Sequence, residues 1–217
     1  MNQHQTLDEA LQTIVDVARD SVPGFDHVGI SSLHRDGTVE TMAYSGDLVP
    51  QLDDMQYSIS EGPCVDTLHG NRVVSASHIR HDQRWPRYVP QAVGLGLRSQ
   101  LAVQLYLSDE GTLGGINFYS TISDEVTAEA EVLADLFASH AAIALGHAQQ
   151  REHFNAALRS RKVIGQAIGI VSERYDIDEH RSFAFLVRAS SHGHVKLHDV
   201  AQELVDERNA AGRTQQE

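Results

Sequence analysis

The sequence predicts an α+β fold in which an antiparallel sheet flanked by helices is followed by an all-α region. Strand-like segments are joined by tight turns, which is typical of antiparallel sheets rather than of doubly wound ones. The segment from Val126 to about Tyr175 contains no proline and predicts one very long helix, or two helices stacked end to end. After residue 150, apolar residues recur only at helical spacing. The chain has 217 residues, 41% hydrophobic and 22% charged, which suits one large or two small globular domains.

The first third of the chain predicts a helix and a hairpin. Apolar residues at helical spacing indicate a helix over Leu7–Arg19, with Thr6 as its N-cap and Glu9 placed to complete a capping box. The segments 28–33 and 38–44 have strand character and are separated by an Asp-Gly turn, so they predict a β-hairpin.

The middle third predicts short helices and a second pair of strands. Pro63 is suited to the first turn of a short helix that ends near Gly70. A strand is predicted over 72–76, and one or two helical turns over 88–93. Two further strands are predicted over 97–107 and 113–119, separated by a polar turn.

The last third predicts three helical pieces. Their apolar stripes are Ile164, Ala167, Ile168 and Val171, then Phe183, Leu186 and Val187, then Val200, Leu204 and Val205. A Ser-Ser-His-Gly sequence at 190–193 separates the second piece from the third.

Charge is distributed unevenly along the chain. Residues 1–150 carry 7 Lys and Arg against 20 Asp and Glu, a net charge of −13, whereas residues 151–217 carry 10 of each. Within the neutral part, the stretches 154–172 and 180–198 contain basic residues and no acid. Such segregation can present a basic face to phosphates, but on charge alone a solvated helix surface is the favoured explanation.

Several kinds of site are excluded or disfavoured by the motifs. The chain has no complete dinucleotide fingerprint, no phosphate loop, no His-Glu-x-x-His helix and no serine elbow. His192, His194 and His198 could bind a metal or simply be solvated, and we expect no metal site. Cys64 follows Pro63 at a helix start, where a thiolate is favoured. The neighbouring acids Glu61 and Asp66 oppose a thiolate, however, so the favoured interpretation is that Cys64 fills a gap in the core. We therefore expect no catalytic residue.

Localisation is predicted from absences in the sequence. No apolar run reaches the roughly 18 residues that span a bilayer, and the first residues lack the features of a signal peptide. The single cysteine excludes an internal disulfide. We expect a cytoplasmic protein that does not enter a membrane.

Two segments resemble known domain families. The first resemblance is carried by the motifs at Glu61–Cys64, Arg84–Arg87, Gly96–Ser99 and Leu113–Ser120, and the second by those at Ile164–Val171, Phe183–Ser191 and Lys196–Ala201. On these motifs, residues 7–147 resemble a GAF domain of the actinobacterial regulator type. Residues 148–209 are similar to an ANTAR domain, which leaves 210–217 as a flexible tail.

The resemblance implies a transcription antitermination regulator rather than an enzyme. Proteins of this type bind paired hairpins with six-base loops in nascent RNA, so a two-hairpin leader is the implied partner. The residues implied to contact RNA are Arg161, Lys162, Gln166, Ala167, Gly169, Arg174, Arg188, Ser190 and Lys196. Ala167 and Gly169 could admit RNA closely or could serve helix packing instead. Ile168 replaces a lysine that many relatives carry, which removes one cationic contact.

The GAF resemblance implies a sensory role, but the sequence does not identify a ligand or cofactor. Tyr57, Cys64, Trp85 and Tyr88 are the candidate pocket residues, although aromatic residues at such spacings are commonly core residues. Two other functions remain as alternatives. One is a regulator that acts through protein or DNA partners, although acids in the last predicted helix disfavour a DNA groove. The other is a GAF-fold thiol redox enzyme, which the single cysteine disfavours.

The long helix predicts a homodimer. Leu133, Leu136, Ile143 and Phe154 recur at spacings compatible with heptads. His140 and His147 fall at seam positions between them. The alternative is that this stripe covers only the sheet of its own chain.

Overall fold

The secondary structure alternates short helices with strands and then becomes wholly helical. The computed structural model describes residues 6–108 and 110–213, apart from the side chains of 152–153 and 211–213. The chain divides into two units, Met1–Gln149 and Gln150–Glu217. The elements are α1 (Leu7–Ser21), β1 (His27–Leu33), β2 (Val39–Tyr44), α2 (Leu48–Ile59), α3 (Pro63–Leu68), β3 (Val73–Ala76), α4 (Tyr88–Gly94), β4 (Ser99–Leu107), β5 (Gly111–Ser120), α5 (Ala128–Tyr175), α6 (Glu179–Gly193) and α7 (Leu197–Arg213).

The first helix begins where the sequence predicts it. The Thr6 hydroxyl accepts a hydrogen bond from the Glu9 amide, and the Glu9 carboxylate accepts one from the Thr6 amide, so the capping box is complete. Leu11, Val15 and Ala18 form its buried stripe. Pro63 is likewise in the first turn of α3, where its missing N–H costs nothing.

The five strands form one antiparallel sheet in the order β2-β1-β5-β4-β3. Both predicted hairpins are present, as the pairs β1–β2 and β4–β5. The central contact joins β1 to β5, with Ile30 opposite Ile116. The predicted antiparallel α+β fold is therefore confirmed.

The two faces of the sheet differ in chemistry. One face is apolar and packs against α1 and α5, through residues such as Ile30, Val103 and Phe118. The other face packs against α2, α3 and α4 and is buried as well, yet it carries Ser31, Gln100, Asn117 and Tyr119. Polar groups removed from water must find partners within the protein. This face therefore holds a hydrogen-bond network, which is described below.

The segment after the sheet is a single helix, α5, of 48 residues. In the second unit, the later part of α5 packs with α6 and α7 around five buried residues: Ala167, Val171, Leu186, Ala201 and Val205. This is the predicted three-helix arrangement. Helix α7 extends to Arg213, and residues 214–217 of the predicted flexible tail lie outside the described residues.

One helix was not predicted from the sequence. Helix α2 spans Leu48–Ile59 and includes Pro50 in its first turn. Its apolar residues Leu48, Leu52, Met55 and Ile59 recur every three or four positions, which is the signal that could have revealed it. Within the described residues, no helix combines the length and the hydropathy needed to cross a membrane.

Candidate functional site

The second unit exposes a set of cationic side chains. Arg161 and Lys162 on α5, Arg174 near its end, Arg188 on α6 and Lys196 before α7 are all exposed. Among the described side chains of this unit, Arg181 is the one cation in an ion pair, 3.7 Å from Asp178. Five arginines of the first unit, by contrast, pair with carboxylates: Arg19, Arg72, Arg84, Arg87 and Arg98. The charges of the second unit thus remain available to an external anion.

Helix α5 separates its packed side from its exposed side within this unit. Lys162, Gln166 and Gly169 lie one turn apart along the helix and are exposed, whereas Ala167 is fully buried on the opposite side. Of the two roles left open for Ala167, the structure supports helix packing and not contact with RNA, because the position is part of the three-helix core. A side-chain carbon at Gly169 would meet nothing within 4 Å, so this backbone is open to a partner.

Ser190 has a structural role in the turn after α6. Its hydroxyl donates a hydrogen bond of 2.6 Å to the carbonyl of Val195. The residue between them that reverses the chain is His194, with φ of 51°. Since the proton of Ser190 is already committed, this hydroxyl is not a free donor for a ligand. It holds the turn that carries Lys196.

The last helix is acidic on its outer surface. Asp199, Glu203, Asp206 and Glu207 of α7 are exposed. These acids would repel phosphates if α7 faced a nucleic acid. Within the second unit, available positive charge therefore belongs mainly to α5, α6 and the turn at Lys196.

One cation of this unit, Arg208 on α7, was not singled out from the sequence. A cavity of about 230 Å³ is lined by Ile170, Glu173, Arg174 and Arg208, so Arg174 opens onto it together with Arg208 of α7. Ile168 lines a different, more open cavity with Asp178, Glu179, His180 and Phe183. The surroundings of Ile168 are thus apolar and acidic. In the part of the chain that the structure describes, no group of three or more His, Cys, Asp or Glu could hold a metal.

In the first unit, three of the four predicted pocket residues are core residues. Trp85 is buried, donates from its indole to Asp66 at 3.1 Å and stacks under the guanidinium of Arg84 at 4.2 Å. Tyr88 is fully buried and donates to the side-chain carbonyl of Gln100 at 2.7 Å. Cys64 is fully buried too.

The Cys64 thiol is held in a neutral state. Burial raises the pKa of the Cys64 thiol to about 12, and the nearby carboxylate of Asp53 adds to that effect. The sulfur lies 3.0 Å from Nδ2 of Asn117 and 3.4 Å from the hydroxyl of Tyr57. A buried neutral thiol is a poor nucleophile, so Cys64 acts as a packed core residue.

The polar face of the sheet is filled by a network that we call the polar cluster, comprising Asp53, Gln56, Cys64, Gln100, Asn117 and Tyr119. Gln56 is its centre, because its amide donates to the Tyr119 hydroxyl at 3.1 Å and its carbonyl accepts from the Cys64 amide at 3.0 Å. The Asp53 carboxylate accepts from the hydroxyls of Tyr119 and Thr41. These side chains occupy the space between the sheet and the short helices.

Tyr57, the fourth predicted pocket residue, borders a cavity. This cavity has a volume of about 680 Å³ and lies between the β1–β2 hairpin, the end of α2 and α3. Tyr57 also reaches inward, since its hydroxyl is 2.6 Å from that of Ser31 on β1. The remaining wall of the cavity was not predicted, because it joins segments that are distant in sequence.

An exposed apolar stripe runs along α5. Leu136, Ile143 and Phe154, three of the four residues expected at a dimer seam, are 53%, 50% and 65% exposed. Leu133, the fourth, packs against the core of its own domain. His140 and His147 are exposed as well. Covering the sheet of its own chain therefore accounts for Leu133 and not for the other three.

Comparison with protein families identifies both units. The GAF domain family matches residues 4–146, and the ANTAR domain family matches residues 152–205. None of the curated proteins compared matches the chain significantly.

Solved structures agree on the fold of the first unit. A GAF domain from Synechocystis sp. PCC6803, in its photoproduct state, is 15% identical with a TM-score of 0.55, covering 69% of this chain and 99% of that one. The GAF domain of an Acinetobacter phosphoenolpyruvate-protein phosphotransferase is 16% identical with a TM-score of 0.55, covering 70% and 89%. A type II free methionine-R-sulfoxide reductase from Thermoplasma acidophilum is 17% identical with a TM-score of 0.52, covering 65% and 96%. Such distant likeness shows a shared fold and carries no activity across. The chain belongs to the GAF domain family, and its GAF domain is followed by an ANTAR domain.

Proposed function

We propose that the protein is a signal-responsive regulator that binds nascent RNA through its ANTAR domain and prevents transcription termination. ANTAR domains are RNA-binding antitermination modules, and GAF domains are sensors. The observation that carries the proposal is the set of exposed cations in the second unit that no described carboxylate neutralises. RNA phosphates are the natural partners of such charges.

The proposed RNA target is a leader with two hairpins. Loop bases are unpaired and can be read on their edges, whereas the deep groove of an A-form stem is closed to side chains. The exposed side of α5 offers Lys162 and Gln166 as donors, and Gly169 allows a backbone or base to approach closely. Arg161, Arg174, Arg188 and Lys196 extend the proposed contact surface. A regulator of nascent bacterial RNA would work in the cytoplasm, and we extend the proposal to that location.

Single alanine variants provide the test of the RNA surface. Lys162→Ala and Arg188→Ala should each weaken binding to a two-hairpin leader by about 1–3 kcal/mol if they read bases, and by less if they contact phosphates. Loss of a phosphate contact should also lower the dependence of affinity on salt. Arg35→Ala is the matched control, because Arg35 is an exposed arginine in the GAF domain. Gel-shift titrations at two salt concentrations measure both quantities.

If Lys162→Ala and Arg188→Ala bind the RNA as tightly as the control Arg35→Ala, the proposed RNA-binding surface is refuted. If the wild-type protein binds no two-hairpin RNA at all, antitermination itself is refuted, and a regulator acting through protein partners becomes the better explanation. The buried, neutral Cys64 offers no support for the redox-enzyme alternative. The exposed acids of α7 disfavour a DNA-binding role.

We further propose that the protein is a homodimer whose seam is the exposed stripe on α5. Exposed apolar side chains at heptad spacing are typical of helix pairing. Ile143→Ser should convert dimers to monomers at micromolar concentration in sedimentation velocity. Val17→Ser is the matched control, because Val17 is a 49% exposed valine on α1 away from the stripe. A monomeric wild-type protein would refute the proposal.

A further inference from the structure

The cavity beside the β1–β2 hairpin has a wall with no charge. Its apolar part consists of Leu33, Val39, Val65 and Leu68. Among the described residues that line it, none is Asp, Glu, Lys or Arg, although the surrounding domain is strongly acidic. A volume of about 680 Å³ lies within the range of small-molecule sites, roughly 300–1,000 Å³.

The polar groups on the wall are mainly acceptors. The Ser58 hydroxyl donates its proton to the Met55 carbonyl at 2.9 Å, which leaves its lone pairs free. The Thr38 hydroxyl likewise donates to the Asp36 carboxylate at 2.6 Å. Nδ1 of His69 donates to the Val65 carbonyl at 2.8 Å, which leaves Nε2 without a hydrogen-bond partner among the described residues. A ligand that satisfies this wall therefore brings a hydrogen-bond donor.

The region between the sheet and the short helices, which adjoins the cavity, has no room for a ligand. The polar cluster fills the region between the sheet and the short helices, and Gln56, Gln100 and Tyr119 are fully buried within it. An anionic nucleotide finds no cation in the cavity wall and meets a domain of net negative charge, so electrostatics oppose it.

We propose that this cavity binds a neutral, mostly apolar small molecule that carries one hydroxyl or N–H donor, such as a phenol or an aromatic amine. The inference rests on the sensory role proposed for the GAF domain and adds the site and the chemical class of the ligand. Tyr57 connects the cavity to the sheet. It borders the cavity, and its hydroxyl is hydrogen-bonded to the hydroxyl of Ser31 on β1. The same hydroxyl lies 3.4 Å from the sulfur of Cys64 in α3. An occupant that displaces Tyr57 would therefore act on both elements.

The probe for this site is N-phenyl-1-naphthylamine, a neutral aromatic amine that fluoresces in apolar surroundings. The full-length protein should bind it saturably, with one molecule per chain. Ser58→Trp places an indole into the cavity from an exposed position and should weaken probe binding at least tenfold. Gln51→Trp, exposed on the same helix and outside the cavity, should change it by less than twofold. Cyclic GMP at millimolar concentration should not displace the probe.

Three results would overturn the proposal. They are no saturable binding by the wild-type protein, equal binding by Ser58→Trp and Gln51→Trp, and displacement of the probe by cyclic GMP. Gel shifts with a two-hairpin RNA on the same samples separate this inference from the proposed function. If the protein binds the RNA but not the probe, only the proposed ligand site is refuted. If it binds the probe but not the RNA, only the proposed antitermination function is refuted.

Discussion

Replacing Asp53 by asparagine should remove a pH dependence from the stability of the GAF domain. Asp53 is fully buried on α2, and the neutral hydroxyls of Tyr119 and Thr41 donate hydrogen bonds to its carboxylate, with a further contribution from Ser31. No cation is among its partners within the described residues. Burial, the dominant cause, raises the pKa of the Asp53 carboxyl from 3.8 to about 6, against the lowering effect of those hydrogen bonds.

The sign and size of the effect follow from proton linkage. A carboxyl whose pKa is higher in the folded state binds its proton more tightly there, so its stabilising contribution is complete below about pH 4 and is lost as the pH rises through 6. A shift of about two units corresponds to roughly 3 kcal/mol over the whole range. Between pH 5 and pH 8 the loss is about 1–2 kcal/mol, because the carboxyl is already almost fully ionised in the unfolded chain at pH 5 and only the folded state still titrates.

Urea unfolding followed by tryptophan fluorescence measures this contribution. Trp85 is the chain's single tryptophan and is buried in the GAF core, so it reports on that domain. From pH 5 to pH 8 the wild-type protein should lose about 1–2 kcal/mol of unfolding free energy that Asp53→Asn does not lose. The variant should therefore gain stability relative to the wild-type protein by that amount over this range. Asp8→Asn, the same chemical change at an exposed position on α1, should leave the wild-type pH profile unaltered. Parallel profiles for Asp53→Asn and the wild-type protein would refute the reasoning.

Other variants and reagents test the packing of the GAF domain. Iodoacetamide at pH 8 should alkylate Cys64 only as fast as the domain opens, since the folded thiol is neutral and buried; rapid alkylation in native buffer would contradict this. Gly114→Ala should destabilise the domain by about 1–3 kcal/mol, because its new methyl group collides with the Ser31 carbonyl on β1. Gly165→Ala, on the exposed side of α5, should instead stabilise the helix by about 0.5–1 kcal/mol, since nothing lies within 4 Å of the added carbon. Thermal unfolding measures this gain, and a loss of stability would show that this surface is occupied.

Local features of the sequence were sufficient for most elements. The capping box at Thr6, the Asp-Gly turn, the proline at the start of α3 and the apolar stripes of the ANTAR domain each act over a few residues, so their signals can be read in order along the chain. Helix α2 was missed because its proline and its two adjacent aspartates obscure a valid apolar period. One of those aspartates, Asp53, proved to be buried and to belong to the polar cluster.

Some of the predicted functional residues could be assigned from the sequence alone, and others required the contacts between helices. The cations Arg161, Lys162 and Arg188 could be selected from the sequence, because a charged side chain without a nearby acid tends to remain at the surface. Ala167 could not be assigned, since packing and close approach to a ligand both favour a small residue. Only the contact of α5 with its neighbouring helices showed that Ala167 is buried.

The sequence by itself determined the two families, the antiparallel α+β class and the segregation of charge between the domains, because periodicity, turn chemistry and residue counts are properties of neighbouring positions. Tertiary structure decided the order β2-β1-β5-β4-β3, the polar face of the sheet and the cavity at Tyr57. Each of these arises where segments distant in the chain meet. The pairing of β1 with β5 brings Ser31 alongside the strand that carries Asn117, and whether a polar side chain is solvated or buried depends on that pairing.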